Sequence, residues 1–133
     1  MTDSLDTNIV LRYILNDIPE QKQAVIKLLS SKNTTHFLSN QAILETFYVL
    51  EKCYSASRDT AANAVSFFLT RYSDVLDYDI NLTRIAFPLY IAHPKLSWAD
   101  CALAAEAEIK HHEPLYTFDK ALARQTAQAK LLE

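Results

Sequence analysis

Glycine is absent from this chain altogether. A Gly-rich loop that cradles phosphate is therefore excluded, and with it the P-loop and dinucleotide-binding folds that depend on one. Helices must also end without the residue that most easily turns left-handed, and Asn16, Asn33 and His112 are the expected substitutes. Cysteine is nearly as scarce. Cys53 and Cys101 fit no metal or redox spacing; each falls in an apolar helical pattern and reads as a free buried thiol of a reducing cytosol. No run approaches the ~20 apolar residues of a membrane span, and "MTDSLDTN" lacks the basic-then-apolar order of a secretory signal. Positive charge is not in excess either. With 13 Lys and Arg against 16 Asp and Glu, the formal net charge is -3. That disfavours a protein that coats nucleic acid by bulk charge but leaves room for a local basic rim. A soluble cytoplasmic chain with no membrane partner is expected.

What is present fits one domain over residues 1–133, half of them hydrophobic and 22% charged, enough to bury a core. A short strand near Asp3–Leu5 leads into a helix from Thr7 to Asn16. That helix is apolar on most sides, with one polar stripe at Asn8, Arg12 and Asn16. A second helix follows, with Asp17 as its cap and Pro19 in its first turn. "THFLS" reads as a strand, "NQAILETFYVLEKCY" as a helix capped by Asn40, and "SRDTAANAVSFFLTRYS" as another helix. "DVLDYD" reads as a strand and "NLTRIAFPLYIA" as a helix kinked at Pro88. "SWADCALAAEAEIKHH" is a helix, "PLYTF" a strand and "DKALARQTAQA" the last helix, with "KLLE" a possible edge strand. Strands alternating with helices across short turns predict an α/β fold with a mostly parallel sheet, whose sites lie beyond the carboxyl ends of the strands.

Three acids fall in that region. Asp6 and Asp119 each end a strand and precede a helix, and Asp100 lies in the first turn of the helix opened by Ser97. Taken singly, each is more simply a helix cap or a first-turn charge: Asp6 and Asp119 suit N-caps, and Ser97 with Asp100 matches a capping box. If the three converge, repulsion raises their pKa values, and a hard divalent cation resolves the conflict with carboxylate and water oxygens. Glu45 lies opposite the apolar face formed by Ile43, Phe47, Leu50 and Tyr54, beside Gln41 and Lys52. Helical geometry alone makes it a solvated surface glutamate, although a cleft-facing side looks identical.

"LDTNIVLRYILND", "AILETFYVL", "SWADCALAAEA" and "LYTFDKALAR" occur in an order and spacing that resemble the PIN-domain family, and more narrowly the VapC-type toxins of bacterial toxin–antitoxin pairs. The likeness covers nearly the whole chain and is least distinctive over residues 55 to 95. It implies a PIN-like three-layer α/β fold, with a mostly parallel central sheet flanked by helices and acids clustered at one end. It implies a Mg²⁺- or Mn²⁺-dependent endoribonuclease acting on a structured RNA such as tRNA or rRNA, a homodimer, and a small antitoxin as partner. Carried over by motif, the acids are Asp6 in "DTN", Glu45 in "LETFYVL", Asp100 in "WADCALAAEA" and Asp119 in "TFD". Thr117 takes a supporting hydroxyl position, and Asn8 and Arg12 are further candidates, Arg12 for a phosphate contact or equally for the polar stripe of its helix. Two departures are local: "TDSL" is more polar than the usual first strand, and "KHHEP" stands where a glycine often follows the Asp-Ala helix.

The alternatives are a receiver-like signalling domain with an acidic Mg²⁺ pocket, a PIN-like scaffold that only binds a partner, and a DNA-directed nuclease on the same fold. A receiver needs a lysine at the end of a late strand, whereas Lys120 already lies in the helix. His36, His93 and the pair His111–His112 lack ligand-spaced partners, so no zinc site is expected. Phe47, Tyr48, Phe67, Phe68, Tyr72, Phe87 and Tyr90 fall mostly on helical spacing, as core or dimer-interface residues rather than a base-stacking platform.

Overall fold

Five short strands and seven helices make up the computed structural model, which describes residues 2–133. In chain order they are β1 (Thr2–Ser4), α1 (Thr7–Leu15), α2 (Pro19–Ser30), β2 (Thr35–Phe37), α3 (Asn40–Lys52), α4 (Arg58–Arg71), β3 (Leu76–Asp77), α5 (Ile80–Ala92), α6 (Trp98–Ile109), β4 (Leu115–Thr117), α7 (Lys120–Gln125) and β5 (Ala129–Leu131). The fold is α/β, and every strand pairing is parallel. Among the described residues no helix is long and apolar enough to cross a membrane. The chain divides into two compact units, Met1–Tyr78 and Asp79–Glu133.

In the first unit β2 lies between β1 and β3. The polar first strand, exposed along its length, is the edge of that sheet, where charge and polarity discourage further pairing. Asp3 is opposite His36 in register, and its Oδ1 lies 2.5 Å from Nδ1 of the buried His36 ring. A polar edge strand is thus fastened to the central strand by a side-chain pair as well as by its ladder. Val10 and Leu11 of α1, Val25 and Leu29 of α2, Ile43, Phe47 and Leu50 of α3, and Val65 and Phe68 of α4 are buried. Each such side chain stabilises the fold by roughly 1.5–3 kcal/mol. Tyr13, Phe68 and Tyr72 close an aromatic cluster with centroids 5.2 to 5.5 Å apart, within the range of favourable ring pairs. Burial, followed by the hydrogen bond with Tyr13, pushes the Tyr72 phenol above its ordinary pKa.

In the second unit the alanine-rich α6 packs chiefly on α5 and also touches β4. Cys101, Ala104 and Ala105 are fully buried; their small side chains let the two helices approach closely. Trp98 meets Phe87 and Tyr90 edge-on at 4.9 and 5.7 Å. β4, α7 and β5 form a short parallel crossover, β4 and β5 pairing from Leu115 opposite Ala129 to Thr117 opposite Leu131.

Several local expectations are corrected. Asn16 takes the left-handed conformation that ends α1, but the other positive-φ residues are Ser55 and His111, not Asn33 or His112. Ser39, not Asn40, caps α3, its side chain accepting from the amide of Ala42. Asp17 caps nothing: Ile18 occupies the N-cap of α2, because the Asp17 carboxylate is held by Arg12. Cys53 is exposed at the end of α3. α7 stops at Gln125. Of the aromatics expected in a core or dimer interface, Tyr48 and Phe67 lie outside the core, 60% and 61% exposed.

Candidate functional site

β1 and β2 lie side by side and parallel, so their carboxyl ends deliver the chain to the same edge of the sheet. Two residues beyond β1, after Leu5, is Asp6, the N-cap of α1. Just beyond β2 lies Ser39, the N-cap of α3. Two helices therefore start next to each other, a place where parallel sheets concentrate binding groups. Leu5, Asp6, Thr7, Ser39, Gln41, Ala42 and Glu45 line a cavity of about 170 Å³ there.

The polar groups in this cavity are ordered by their neighbours. Asp6 Oδ1 accepts the amide of Thr7 at 2.8 Å. The Thr7 hydroxyl donates to Glu45 Oε2 at 2.9 Å, joining the first turn of α1 to the second turn of α3. Gln41 Nε2 donates more weakly to Glu45 Oε1 at 3.4 Å. Thr7 is buried whereas Asp6 and Glu45 are exposed. An inner hydroxyl thus fixes an outer carboxylate beside a second one.

The donors in the cavity are carboxylate, hydroxyl and amide oxygens. That set suits a hard divalent cation and lacks the sulfur and imidazole that softer metals favour. Within each unit, among the described residues, no three His, Cys, Asp or Glu side chains gather closely enough to hold a metal ion.

Asp100 and Asp119 belong to the second unit. Asp100 completes a capping box: its Oδ2 accepts the amide of Ser97 at 3.0 Å, and its own amide donates to Ser97 Oγ at 3.1 Å. Its helix follows α5 through a short loop, so Asp100 does not stand at a strand-to-helix junction as its position in the sequence suggested. Asp119 follows β4 and caps α7, its Oδ1 accepting the amides of Ala121 and Leu122. The Thr117 hydroxyl accepts the amide of Asp119 at 2.9 Å and so shapes the turn that presents this acid.

Asn8 is exposed on α1. Arg12 is committed to Asp17, one Nη1 reaching both carboxylate oxygens at 3.0 and 2.9 Å, so a phosphate would have to compete with that pair. Thr7, Ser39 and Gln41 are the cavity residues that sequence reasoning did not single out. A hydroxyl directly after Asp6 in "DTN" was the available signal for Thr7. Ser39 was hidden because Asn40 beside it is an equally good cap.

Residues 4–127 match the family described as PIN domain. No curated protein matches the chain. Among solved structures the chain is similar to the VapBC2 of Rickettsia felis bound to a DNA fragment from their promoter, at 19% identity and a TM-score of 0.42, covering 99% of this chain and 98% of that one.

Proposed function

Because the chain belongs to the PIN domain family, whose members are generally nucleases, we propose that it is a metal-dependent endoribonuclease. In this reading it is the VapC-type toxin of a toxin–antitoxin pair, acting in the cytoplasm as a homodimer and inhibiting translation by cutting a structured RNA such as tRNA or rRNA. A small antitoxin protein is its partner, and residues 1–133 form a single PIN-like domain in this reading. All four acids carried over from the family motifs are present, which favours an active enzyme over a scaffold. The family match also displaces the receiver-like alternative.

The observation that carries the reading is the Asp6–Thr7–Glu45 arrangement on one oxygen-lined cavity. Asp6, Glu45, Asp100 and Asp119 are the acids that would hold Mg²⁺ or Mn²⁺ in this reading. When bound, such an ion acidifies a coordinated water for attack on a phosphodiester and offsets charge on the departing oxygen. The residues of the chain do the positioning. The Thr7 hydroxyl holds the Glu45 carboxylate at the first turn of α1, and the backbone amide of Thr7 orients Asp6 itself. The Ser97 and Thr117 contacts fix where Asp100 and Asp119 begin their helices.

The test is cleavage of total cellular RNA by the purified chain with Mg²⁺ or Mn²⁺, with cut sites mapped by sequencing. Wild type should cut at discrete sites, and neither Asp100→Asn nor wild type in EDTA should cut. Undiminished cleavage in EDTA defeats the metal-nuclease reading.

A further inference from the structure

The chain carries a net charge of -3, yet three cations stand together on α7 and β5. Lys120, Arg124 and Lys130, with Ala123, Ala129 and Leu131, line a groove of about 390 Å³ that contains no acid. Lys120, Ala123 and Arg124 lie three and four residues apart and so share one face of α7. All three cations are exposed, and among the described residues none of them takes part in an ion pair. Cations left unpaired in an acid-rich chain are available for an anionic ligand.

Two exposed aromatics lie outside the groove lining but close to its cations, Tyr116 opposite Lys130 in the ladder and Phe118 two residues before Lys120 in sequence. Tyr116 is 59% exposed, and Phe118, just past the end of β4, is 77% exposed. They lie two residues apart, which is about 7 Å along an extended chain, close to the reach of one nucleotide of an extended single strand. Tyr116 is opposite Lys130 in the parallel ladder, so the aromatic pair and the cationic groove share a residue row. Phe118 and Lys120 flank Asp119 directly in sequence, and the backbone between them is fixed by the Thr117 and Asp119 contacts. The ring therefore projects from an ordered turn.

We infer that Lys120, Arg124 and Lys130 form a track for the phosphates of a single-stranded RNA segment, with Tyr116 and Phe118 stacking successive bases as they approach Asp119. Aromatic faces beside a cationic groove are the usual means of holding single strands without reading their sequence. An acidic polypeptide offers charge to the groove but no flat rings for Tyr116 and Phe118, so the pairing of the two features favours RNA. The inference rests on the ribonuclease reading and names the surface by which its substrate is held.

Binding separates from cutting when measured in EDTA, by fluorescence anisotropy on a labelled ten-nucleotide RNA of mixed sequence titrated with salt. For the variant Lys120→Gln/Arg124→Gln/Lys130→Gln, the slope of log affinity against log salt should flatten by about 2, and affinity at 0.1 M salt should fall about a hundredfold. Phe118→Ala should weaken binding roughly tenfold without changing the slope, and Phe118→Tyr should restore it. Circular dichroism melting confirms that each variant is folded. A folded triple variant with wild-type affinity and slope overturns the inference, as does a wild type with no affinity for the oligonucleotide. So does a triple variant that binds RNA normally but loses binding to polyglutamate, which assigns the groove to a protein partner. A wild type that binds through these residues yet never cuts any RNA sinks the ribonuclease reading alone.

Discussion

The hydroxyl of Thr7 donates to the carboxylate of Glu45 across 38 residues of chain, at 2.9 Å. The bond joins the first turn of one helix to the second turn of another and decides which way an exposed acid points. A partner that orients a metal-binding carboxylate commonly contributes 10–100-fold to affinity or activity.

Thr7→Val keeps the shape and removes the donor. RNA cleavage should drop by about tenfold or more, with a higher Mg²⁺ requirement and little change in melting temperature. Thr7→Ser should recover most of the loss. Cleavage by Thr7→Val at the wild-type rate and Mg²⁺ concentration would show that Glu45 needs no such guide.

Asp119 is the N-cap of α7 and Asp100 closes the capping box that Ser97 opens on α6, so the choice of substitution separates stability from chemistry. Asparagine caps as well as aspartate, whereas alanine costs about 1 kcal/mol. Asp100→Asn and Asp119→Asn should therefore melt near the wild-type temperature while losing cleavage. The alanine variants should lose cleavage and also melt some 2–5 °C lower. An asparagine variant that retains full cleavage would reduce that acid to its capping role.

Ser55 and His111 adopt φ values of 52° and 57° in a chain without glycine. A left-handed backbone costs an ordinary residue roughly 1–2 kcal/mol that glycine largely avoids. Part of the gain is offset by the greater freedom of glycine in the unfolded chain. Ser55→Gly and His111→Gly should each raise the melting temperature by about 1–4 °C. Glycine at a neighbouring helical position such as Ala62 should lower it by a similar amount. A fall in melting temperature for both variants would contradict the backbone assignment.

Tyr72 gives a pH dependence of known sign. Its phenol is raised above the ordinary value of 10.0, first by burial and then by the hydrogen bond with Tyr13. The folded state therefore holds this proton more tightly than the unfolded state. The associated stability is complete below pH ~10 and is lost as pH rises through the folded value. Urea midpoints measured from pH 8 to 11 should fall less steeply at the alkaline end for Tyr72→Phe than for wild type. Identical alkaline slopes would remove Tyr72 from the account.

The contrast between what was readable and what was not follows the range of each interaction. Ser97, Asp6 and Asp119 announce their helices because capping is settled within three residues. The same short range makes neighbouring candidates ambiguous, as Ser39 and Asn40 show. Asp17 looked like a cap but is drawn away by Arg12, five residues back and one turn beyond local reach. Glu45 could be assigned only to the polar side of its helix, since its bond to Thr7 depends on how α1 and α3 meet. The exposure of Cys53 and the early end of α7 were likewise decided by packing, to which periodicity is blind. Lys130 on β5 escaped notice because "KLLE" shows little more than an edge strand until β4 pairs with it.

The three ladders also differ in how much chain each must close. Thr2 meets Thr35 and His36 meets Leu76, separations of 33 and 40 residues, whereas Leu115 meets Ala129 after only 14. Closure entropy grows with the logarithm of that separation, so the last pairing is favoured over the first by about 0.7 kcal/mol. The β4–α7–β5 crossover is consequently the cheapest of the three strand pairings to close, and contacts this local tend to form early. The surface assigned here to the RNA backbone would then be among the first parts of the molecule to take shape, ahead of the sheet that carries Asp6.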